Sequence, residues 1–408
     1  MTRMRSVATY LPAWGDDKRR IAGADEDAVT LAVAAGRAAL AALPSGEAAS
    51  VEAVVFVTRD LPLLEGGSEG VLLAALDLDG GVRCTTVVGG APAVLDAIST
   101  AAATTLVLGA EIAPSAAAGA VVVSAADGHG ASVTSAGRSS RSLPVTARDT
   151  NGHRSEYDDP RLLRVRGIGT AIEALGLENK PVAVVGLAAK DAASYSRGTP
   201  PALPSLGAAA VAFALAALVE QRTEGIVLAV EQASATAAQV GIGTSAVTRI
   251  EPTARPRPAQ RLSAEGDIKL SLAAYERAFD GKLRLAAGRC PQCGTLHLPL
   301  RYRCTECGDE SGQVLQSLPR DAVVYTAVTI RVPVPGLLTP YDLVIAELGD
   351  TKVRLLAPVT GTSAGSVAID DAGELVLRRI AIRAGIPDYG YAFLPAASET
   401  AATTEGVA

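Results

Sequence analysis

The spacing of hydrophobic residues changes once along the chain. Up to about residue 250, short runs of apolar and β-branched residues alternate with alanine-rich segments of helical period. Strands covered on both faces produce such runs, and helices connect one strand to the next. Beyond about residue 320, apolar and polar residues alternate with a period of two, as in antiparallel strands with one buried face. The pattern predicts an α/β domain followed by a small antiparallel β-barrel.

The first domain is predicted to be a regular alternation of strands and helices. Such an order indicates crossover units over a mostly parallel sheet. In contrast, residues 127–159 are rich in Ser, Thr, Gly, Asp and Arg, and we expect a long surface excursion there. The predicted strands are 6–11, 51–58, 82–88, 105–109, 120–124, 182–187 and 225–230, and the predicted helices are 28–43, 71–78, 91–103, 161–177 and 207–220.

A proline-rich segment divides the two parts of the chain. The stretch E-P-T-A-R-P-R-P-A-Q holds three prolines in ten residues and no apolar period, which is typical of a semi-rigid linker. Beyond it, strands are predicted over 323–332, 341–348, 353–359 and 374–382. The predicted organisation is an α/β domain over 1–250, a linker over 251–267, a helix with a metal ribbon over 268–312, an OB-fold over 313–397 and a disordered tail over 398–408.

Four of the five cysteines form two Cys-x2-Cys pairs separated by ten residues: Cys290 and Cys293, then Cys304 and Cys307. Each pair can direct both sulfurs at one ion, and two pairs complete a tetrahedral shell, which is the spacing of a zinc ribbon. Four thiolates leave no position for water or substrate. We therefore expect a structural Zn²⁺. Two disulfides, or four unrelated core thiols, are the alternatives.

Composition and charge restrict the possible partners. Hydrophobic residues make up 49% of the chain but aromatic residues only 3%, so Ala, Val, Leu and Ile must form the core. The formal net charge is −6 and no segment collects Lys and Arg, which argues against nucleic acid. No apolar run of eighteen residues occurs, so we expect no membrane span. The ribbon cysteines favour a reducing compartment, the cytoplasm.

The last third of the chain resembles a known family. It contains the pattern C-x-x-C-G-x-x-x-x-P-x-R-x-x-C-x-x-C-G, preceded by Y-E-R-A-F-D-G-K-L and followed by P-G-L-L-T-P-Y and V-R-L-L-A. These motifs are similar to those of the zinc-ribbon plus OB-fold proteins that accompany thiolase-type enzymes. The resemblance implies an association with acyl-CoA, either as a separate subunit or fused behind a thiolase-fold domain.

The first 250 residues resemble the 3-hydroxy-3-methylglutaryl-CoA synthase branch of the thiolase superfamily. The motifs are A-T-Y-L-P near the start, D-E-D-A-V-T-L-A-V-A-A-G-R-A-A-L at 25–40, V-R-C at 82–84 and G-A-E-I-A-P at 109–114. This resemblance implies an α/β thiolase-like fold of two pseudo-repeated βαβαβ halves. It also implies a CoA or acyl carrier thioester as substrate or ligand, and a homodimer or a complex with a thiolase-fold enzyme.

The chemistry of that family requires a thiolate at the N-terminus of a buried helix, where the helix dipole lowers the thiol pKa. In this chain the relevant helix begins within V-V-G-G-A-P-A-V-L, and the expected cysteine falls at Val87 or Val88. Cys84 is the only cysteine outside the ribbon, and we interpret it as a small buried strand residue. The catalytic and cofactor-binding residues therefore remain unassigned.

Other candidate residues are sparse. The general base of the family would follow V-A-V-V-G-L, where this chain has no histidine. His153 resembles a substrate-side position but also fits a surface loop, and Glu26 fits a helix cap better than an acid catalyst. The remaining candidates are His129, His297, the tyrosines Tyr157 and Tyr195, and the basic residues Arg161, Arg164 and Arg166, which fit either CoA phosphates or a solvated helix face.

Two functions fit these observations. In the first, the chain is an acyl-CoA enzyme with an altered site that forms or breaks C–C bonds or transfers acyl groups without loading a cysteine. In the second, it is a catalytically silent scaffold that binds an acyl thioester and supports a partner condensing enzyme.

Overall fold

The computed structural model describes residues 1–125, 129–149, 153–157, 159–262 and 271–396. It separates the chain into two compact units, Met1–Arg257 and Pro258–Ala408. The tail predicted over 398–408 lies outside the described residues, as does 263–270 at the junction of the predicted linker and helix. In the part of the chain that is described, no helix is long and apolar enough to cross a bilayer.

Within its described residues, the first unit consists of a large mixed sheet, two short strand pairs and seven α-helices, with a 3-10 helix at Glu47–Ser50 and a π-helix at Leu163–Gly169. The helices are α1 (Ala28–Ala41), α2 (Ser68–Ala75), α3 (Ala91–Thr100), α4 (Pro160–Leu162), α5 (Thr170–Glu173), α6 (Ala189–Tyr195) and α7 (Ala210–Glu220). The strands are β1 (Thr2–Tyr10), β2 (Trp14–Gly15), β3 (Arg20–Ile21), β4 (Ala53–Thr58), β5 (Arg83–Val88), β6 (Thr105–Glu111), β7 (Ala117–Ala125), β8 (Ala131–Ser140), β9 (Thr146–Arg148), β10 (Arg154–Glu156), β11 (Ala183–Val185), β12 (Gly225–Glu231), β13 (Ser234–Val240) and β14 (Ala246–Ile250).

The strand order shows an internal duplication. The sheet runs β11-β12-β13-β8-β1-β7-β6-β4-β5, with β14 parallel to β1. In the first half, β4 pairs parallel with β6, β6 antiparallel with β7, and β7 antiparallel with β1. In the second half, β11, β12, β13 and β8 repeat the same three pairings in the same order. The two pseudo-repeated halves expected from the sequence are therefore present, and β5 has no counterpart among the described strands of the second half.

Helices α3 and α7 pack on the sheet through small and aliphatic residues. Leu95, Ile98 and Leu215 are fully buried in the core of this unit. Helix α7 approaches the sheet most closely at Gly109 and Gly119. A Cβ on Gly109 would lie 2.3 Å from the Ala208 carbonyl oxygen, and one on Gly119 would lie 2.3 Å from the Ala212 Cβ. The alanine-rich composition is thus a packing requirement, because larger side chains would separate the layers.

The expectation of a long surface excursion over 127–159 was wrong for residues 131–140, which form β8, whereas residues 141–149 and 153–157 are mostly exposed as expected. Strand β8 lies in the middle of the sheet, between β13 and β1, and Val133 is fully buried. Strands β9 and β10 form a separate hairpin. The polar sequence concealed β8 because its second half has exposed side chains while its backbone is paired with β13. Strands β13 and β14 were also missed in the sequence analysis.

The second unit contains a three-stranded ribbon and a five-stranded barrel. The ribbon consists of β17 (Leu296–His297), β16 (Ala286–Arg289) and β18 (Val314–Ser317), in that order. The barrel consists of β22 (Arg354–Pro358), β21 (Tyr341–Leu348), β19 (Asp321–Ile330), β23 (Ala372–Arg383) and β24 (Ile386–Pro395), in that order. A parallel bridge from Val359 to Phe393 nearly closes the barrel. This is the partly open barrel of an OB-fold, and the predicted fold class is confirmed. The unit also contains β15 (Arg261–Leu262), α8 (Leu272–Arg277), α9 (Phe279–Lys282) and β20 (Leu338–Thr339).

Candidate functional site

The ribbon brings the four predicted ligand cysteines together. The sulfur atoms of Cys290, Cys293, Cys304 and Cys307 all lie within 4.8 Å of one another. The Sγ atoms of Cys290 and Cys307 are 3.6 Å apart, and those of Cys293 and Cys304 are 3.5 Å apart. Sulfurs bonded to a tetrahedral zinc at about 2.3 Å would be about 3.8 Å apart, whereas a disulfide requires about 2.05 Å. The donor set and spacing therefore fit a zinc ion.

Two equivalent turns position these sulfurs. The amide of Gly294 donates to the carbonyl of Cys290 at 2.9 Å, and the amide of Gly308 donates to that of Cys304 at 3.0 Å. Both glycines have positive φ, 77° and 76° respectively, which side chains other than glycine adopt at a cost. The chain is thus turned back sharply after the second cysteine of each pair.

Each pair contributes one buried and one exposed thiol. Cys290 and Cys304 are buried, whereas Cys293 and Cys307 are exposed. The Thr295 hydroxyl lies 3.2 Å from the Cys293 sulfur, and hydrogen bonds with Thr295 lower the pKa of that thiol to about 6. Such an environment favours the thiolate form that binds a metal. In the sequence, His297 is notable only because it lies between the two cysteine pairs. In the structure, its Nε2 lies 3.4 Å from the Cys304 sulfur.

The N-terminus of α3 is where a thioester-forming cysteine of a thiolase-like fold is expected. Strand β5 ends at Val88, and the N-cap of α3 is Gly90, which has no side chain to offer. Val87 and Val88, the positions aligned with that cysteine, therefore belong to the strand. A Cβ on Gly90 would lie 2.7 Å from Oε1 of Glu231. A carboxylate thus lies against the helix terminus.

Glu231 connects the two halves of the first unit. It is the last residue of β12, and its carboxylate forms an ion pair with Arg59, which follows β4. Beside it, Arg148 donates to the Arg59 carbonyl at 3.1 Å and lies 3.5 Å from the Asp60 carboxylate. Charged groups of both signs are therefore linked to the carboxylate that lies at the N-terminus of α3. The sequence analysis missed these residues, because three separate segments contribute them.

Cys84 is half-buried in the interior of β5, where it pairs with Val54. Burial, followed by the negative charge of Glu69, raises the pKa of the Cys84 thiol to about 12. A thiol in this environment is protonated at neutral pH and is a poor nucleophile.

The other sequence candidates lie on separate elements. Gly186 follows β11 where the family base would be, and a Cβ there would lie 1.9 Å from the Val230 carbonyl oxygen. His153 is exposed, with Nδ1 3.2 Å from the Asp149 carboxylate. Tyr157 is exposed, and Tyr195 packs partly buried against a small apolar cluster. The exposed remaining candidates are His129, Arg161, Arg164 and Arg166, and the three arginines are consistent with a solvated helix face.

The expectation that Glu26 caps a helix was wrong. The N-cap of α1 is Asp27, whose carboxylate accepts hydrogen bonds from the amides of Val29 and Thr30. Glu26 is buried and accepts hydrogen bonds from the Tyr10 hydroxyl at 2.6 Å and the Gly23 amide at 2.7 Å. Adjacent acidic residues made the assignment ambiguous in the sequence, and the helix register decided it.

A second buried carboxyl was not singled out in the sequence. Glu111 ends β6 and is 7% exposed. It accepts hydrogen bonds from the Ser205 hydroxyl and, at 3.1 Å, from the Gly207 amide. Burial raises the pKa of Glu111 to about 7 despite these hydrogen bonds. Its presence in the motif G-A-E-I-A-P was the only sequence signal.

A family model and a curated relative match parts of this chain. Residues 281–311 match the family described as ChsH2, rubredoxin-like zinc ribbon domain. A DUF35 domain-containing scaffold protein of Methanothermobacter thermautotrophicus is 25% identical over 123 residues, which are 29% of this chain and 92% of that protein.

Solved structures provide a further comparison. A 3-oxoacyl-(acyl-carrier protein) synthase from Burkholderia xenovorans LB400 has a TM-score of 0.49 at 15% identity, covering 62% of this chain and 97% of the other. The cerulenin-bound form of OleA from Xanthomonas campestris also has a TM-score of 0.49 at 15% identity, covering 59% of this chain and 96% of the other. Both TM-scores are below 0.5, so the strand order described above defines the fold.

We expect Cys84 to resist alkylation. At pH 8, iodoacetamide should label it in the native protein at least about a hundredfold more slowly than an ordinary exposed cysteine, because the thiolate is scarce. Mass mapping of the labelled peptides measures the rate, and the same protein unfolded in urea is the control. Rapid native labelling that acetyl-CoA blocks would instead identify Cys84 as a nucleophile.

We expect Glu111 to make stability depend on pH. Its folded-state pKa of about 7 lies above the ordinary value of 4.5, so the folded chain retains a proton that the unfolded chain loses between these pH values. The free energy of unfolding should therefore fall as pH rises from 5 to 8, by up to about 3 kcal/mol from this group. Urea unfolding of Glu111→Gln should show a weaker fall.

The matched control for this measurement is Glu178→Gln, which changes an exposed carboxyl in the same unit. That variant should retain the pH dependence of the original chain. Identical pH profiles for Glu111→Gln and the unmodified chain would contradict the assignment.

Proposed function

We propose that this chain is a thiolase-superfamily protein, related to 3-hydroxy-3-methylglutaryl-CoA synthase, that binds an acyl thioester and supports a partner condensing enzyme without forming an acyl-cysteine itself. The observation that carries the proposal is the N-terminus of α3: Val87 and Val88 stand where the family cysteine is expected, the N-cap is Gly90, and the Glu231 carboxylate lies against that residue.

The electrostatics of this terminus argue against thioester exchange on the chain. A helix N-terminus stabilises negative charge, and a catalytic cysteine uses that effect to remain a thiolate. Here the carboxylate of Glu231, in an ion pair with Arg59, already lies at this point, so the terminus is not free to stabilise a thiolate.

Two further observations support a role in an assembly. The relative from Methanothermobacter thermautotrophicus is described as a scaffold protein. In addition, the outer face of the barrel exposes apolar side chains on β19 and β22. Val323, Tyr325, Val328 and Leu356 are between 44% and 65% exposed. Clusters of large exposed apolar residues are typical of protein interaction surfaces. A homodimer or a complex with a thiolase-fold enzyme, in the cytoplasm, fits this proposal.

We propose further that Cys290, Cys293, Cys304 and Cys307 bind one structural zinc ion. Bound Zn²⁺ would supply the cross-link that holds the two turns of the ribbon together, and the closed thiolate shell would leave no position for substrate. The short strands β16, β17 and β18 offer little other stabilisation, since each has at most four residues.

Metal analysis of the purified chain should therefore find about one zinc per polypeptide. Cys290→Ser, which removes a buried ligand, should lower the zinc content and destabilise the ribbon. Cys84→Ser is the matched control, since it changes the one cysteine outside the ribbon and should leave the zinc content unchanged. A stable, soluble, zinc-free parent protein would contradict the assignment.

The scaffold proposal is tested by intact-protein mass spectrometry after incubation with a panel of acyl-CoAs, beside native mass spectrometry of the same mixtures. We expect non-covalent binding of acyl-CoA and no covalent acyl adduct. Treatment of a cysteine-loading thiolase-fold enzyme under the same conditions is the positive control. An adduct that maps to residues 1–257, or robust turnover by the isolated chain, would instead support an enzyme with an altered site.

A further inference from the structure

A histidine lies beside the metal ligands of the ribbon. His297 is the last residue of β17 and is 6% exposed. Its Nε2 atom lies 3.4 Å from the sulfur of Cys304, the more deeply placed thiol of the second pair. This is the distance of an N–H···S hydrogen bond, which is longer than one to oxygen because sulfur is larger.

The backbone fixes the position of this ring. His297 pairs with Gly288 of β16 in the antiparallel ladder of the ribbon. The same strand continues into Cys290 two residues later, and the amide of Cys290 donates to the carbonyl of Thr295 at 2.9 Å. The imidazole is therefore carried by the same hairpin that carries the first pair of cysteines, while its Nε2 faces a cysteine of the second pair.

A ring N–H donor would offset negative charge on a buried thiolate. Four thiolates around Zn²⁺ leave a net charge of about −2, and a buried thiolate has no water to offset its share of that charge. The exposed Cys293 and Cys307 can be hydrated, and the Thr295 hydroxyl also lies near Cys293. Cys304 is buried. Among the described residues, His297 places a ring nitrogen in contact with the Cys304 sulfur.

We propose that His297 is a positioning residue of the metal site: its Nε2–H donates to the Cys304 thiolate, links the two halves of the ribbon and slows the loss of zinc. The proposal rests on the zinc assignment above. It gives the histidine one tautomer, with the proton on Nε2, and assigns it no role in binding the metal directly.

Two substitutions separate the hydrogen bond from packing. His297→Leu removes the donor and fills the buried position with an apolar side chain. His297→Gln instead places an amide N–H near the position of the former Nε2. Zinc release to a chromophoric chelator should be about 10- to 100-fold faster for the Leu variant, the usual effect of losing such a partner. The Gln variant should recover part of this loss. His153→Leu, which changes an exposed histidine, is the control and should release zinc at the rate of the parent.

Spectroscopy supplies a readout that packing alone would not change. With Co²⁺ in place of zinc, the sulfur-to-metal charge-transfer bands should shift in the Leu variant and return toward the original positions in the Gln variant. In the unmodified chain loaded with ¹¹³Cd²⁺, the Nε2 proton of His297 should show scalar coupling to cadmium through the N–H···S bond. This last measurement does not depend on whether a variant folds.

The outcomes distinguish the two proposals. The role of His297 would be overturned by three results in a parent protein that binds zinc. These are no cadmium coupling at His297 in the cadmium-loaded parent, an unchanged zinc release rate in the Leu variant, and an unchanged cobalt spectrum in that variant. Parent protein that binds no zinc, cobalt or cadmium would instead overturn the zinc assignment on which it rests.

Discussion

The contact between Glu231 and the N-terminus of α3 determines which charged group lies at that helix end in the first unit. A Cβ at position 90 would lie 2.7 Å from the carboxylate, so a larger residue there would displace the Glu231 side chain. The contact also depends on Arg59, whose guanidinium offsets the charge of Glu231. Since Glu231 belongs to the second half and Gly90 to the first, the duplicated sheet brings the two together. The N-terminus of α3, where the sequence resemblance led us to expect a thioester-forming cysteine, is therefore a charged contact between the halves.

The duplicated sheet itself depends on small residues. Gly109 and Gly119 allow α7 to lie directly on β6 and β7, and the alanines of that helix keep the separation short. With aromatic residues at only 3% of the chain, the core gains its stability from many small contacts rather than from a few large side chains. A fold stabilised in this way can retain its architecture after the residues of an active site have changed, because the packing and the chemistry use different positions.

The second unit follows a different principle. Its ribbon has three short strands, and its geometry is arranged around four sulfurs that come within 4.8 Å of one another. Its barrel, by contrast, is closed by ordinary strand pairing, with a parallel bridge between Val359 and Phe393. The buried residues of the barrel are mostly apolar but include the charged residues Asp342, Arg378 and Asp388, and several apolar side chains on its strands are exposed.

The sequence alone determined those features that depend on residues close together in the chain. The Cys-x2-Cys spacing predicted the cluster of sulfurs, the change from helical to strand period predicted an α/β unit followed by a barrel, and the missing cysteine near Val88 left the catalytic residues unassigned. Boundaries of most strands and helices were close because their hydrophobic periods are strong. The same reasoning missed β8, whose polar side chains conceal a central strand that is held by backbone pairing on both sides.

Only the tertiary structure decided which distant residues meet. Several contacts join separate elements, and no spacing in the sequence specifies them. They are Glu231 with Gly90, Arg148 with Asp60, Ser205 with Glu111 and His297 with Cys304. Similarly, the choice of Asp27 over Glu26 as the cap of α1 required the helix register. The physical reason is that the hydrophobic period of a segment indicates which of its faces is buried. The charge pairing and the pKa of a side chain depend instead on the groups that the fold brings next to it from other segments.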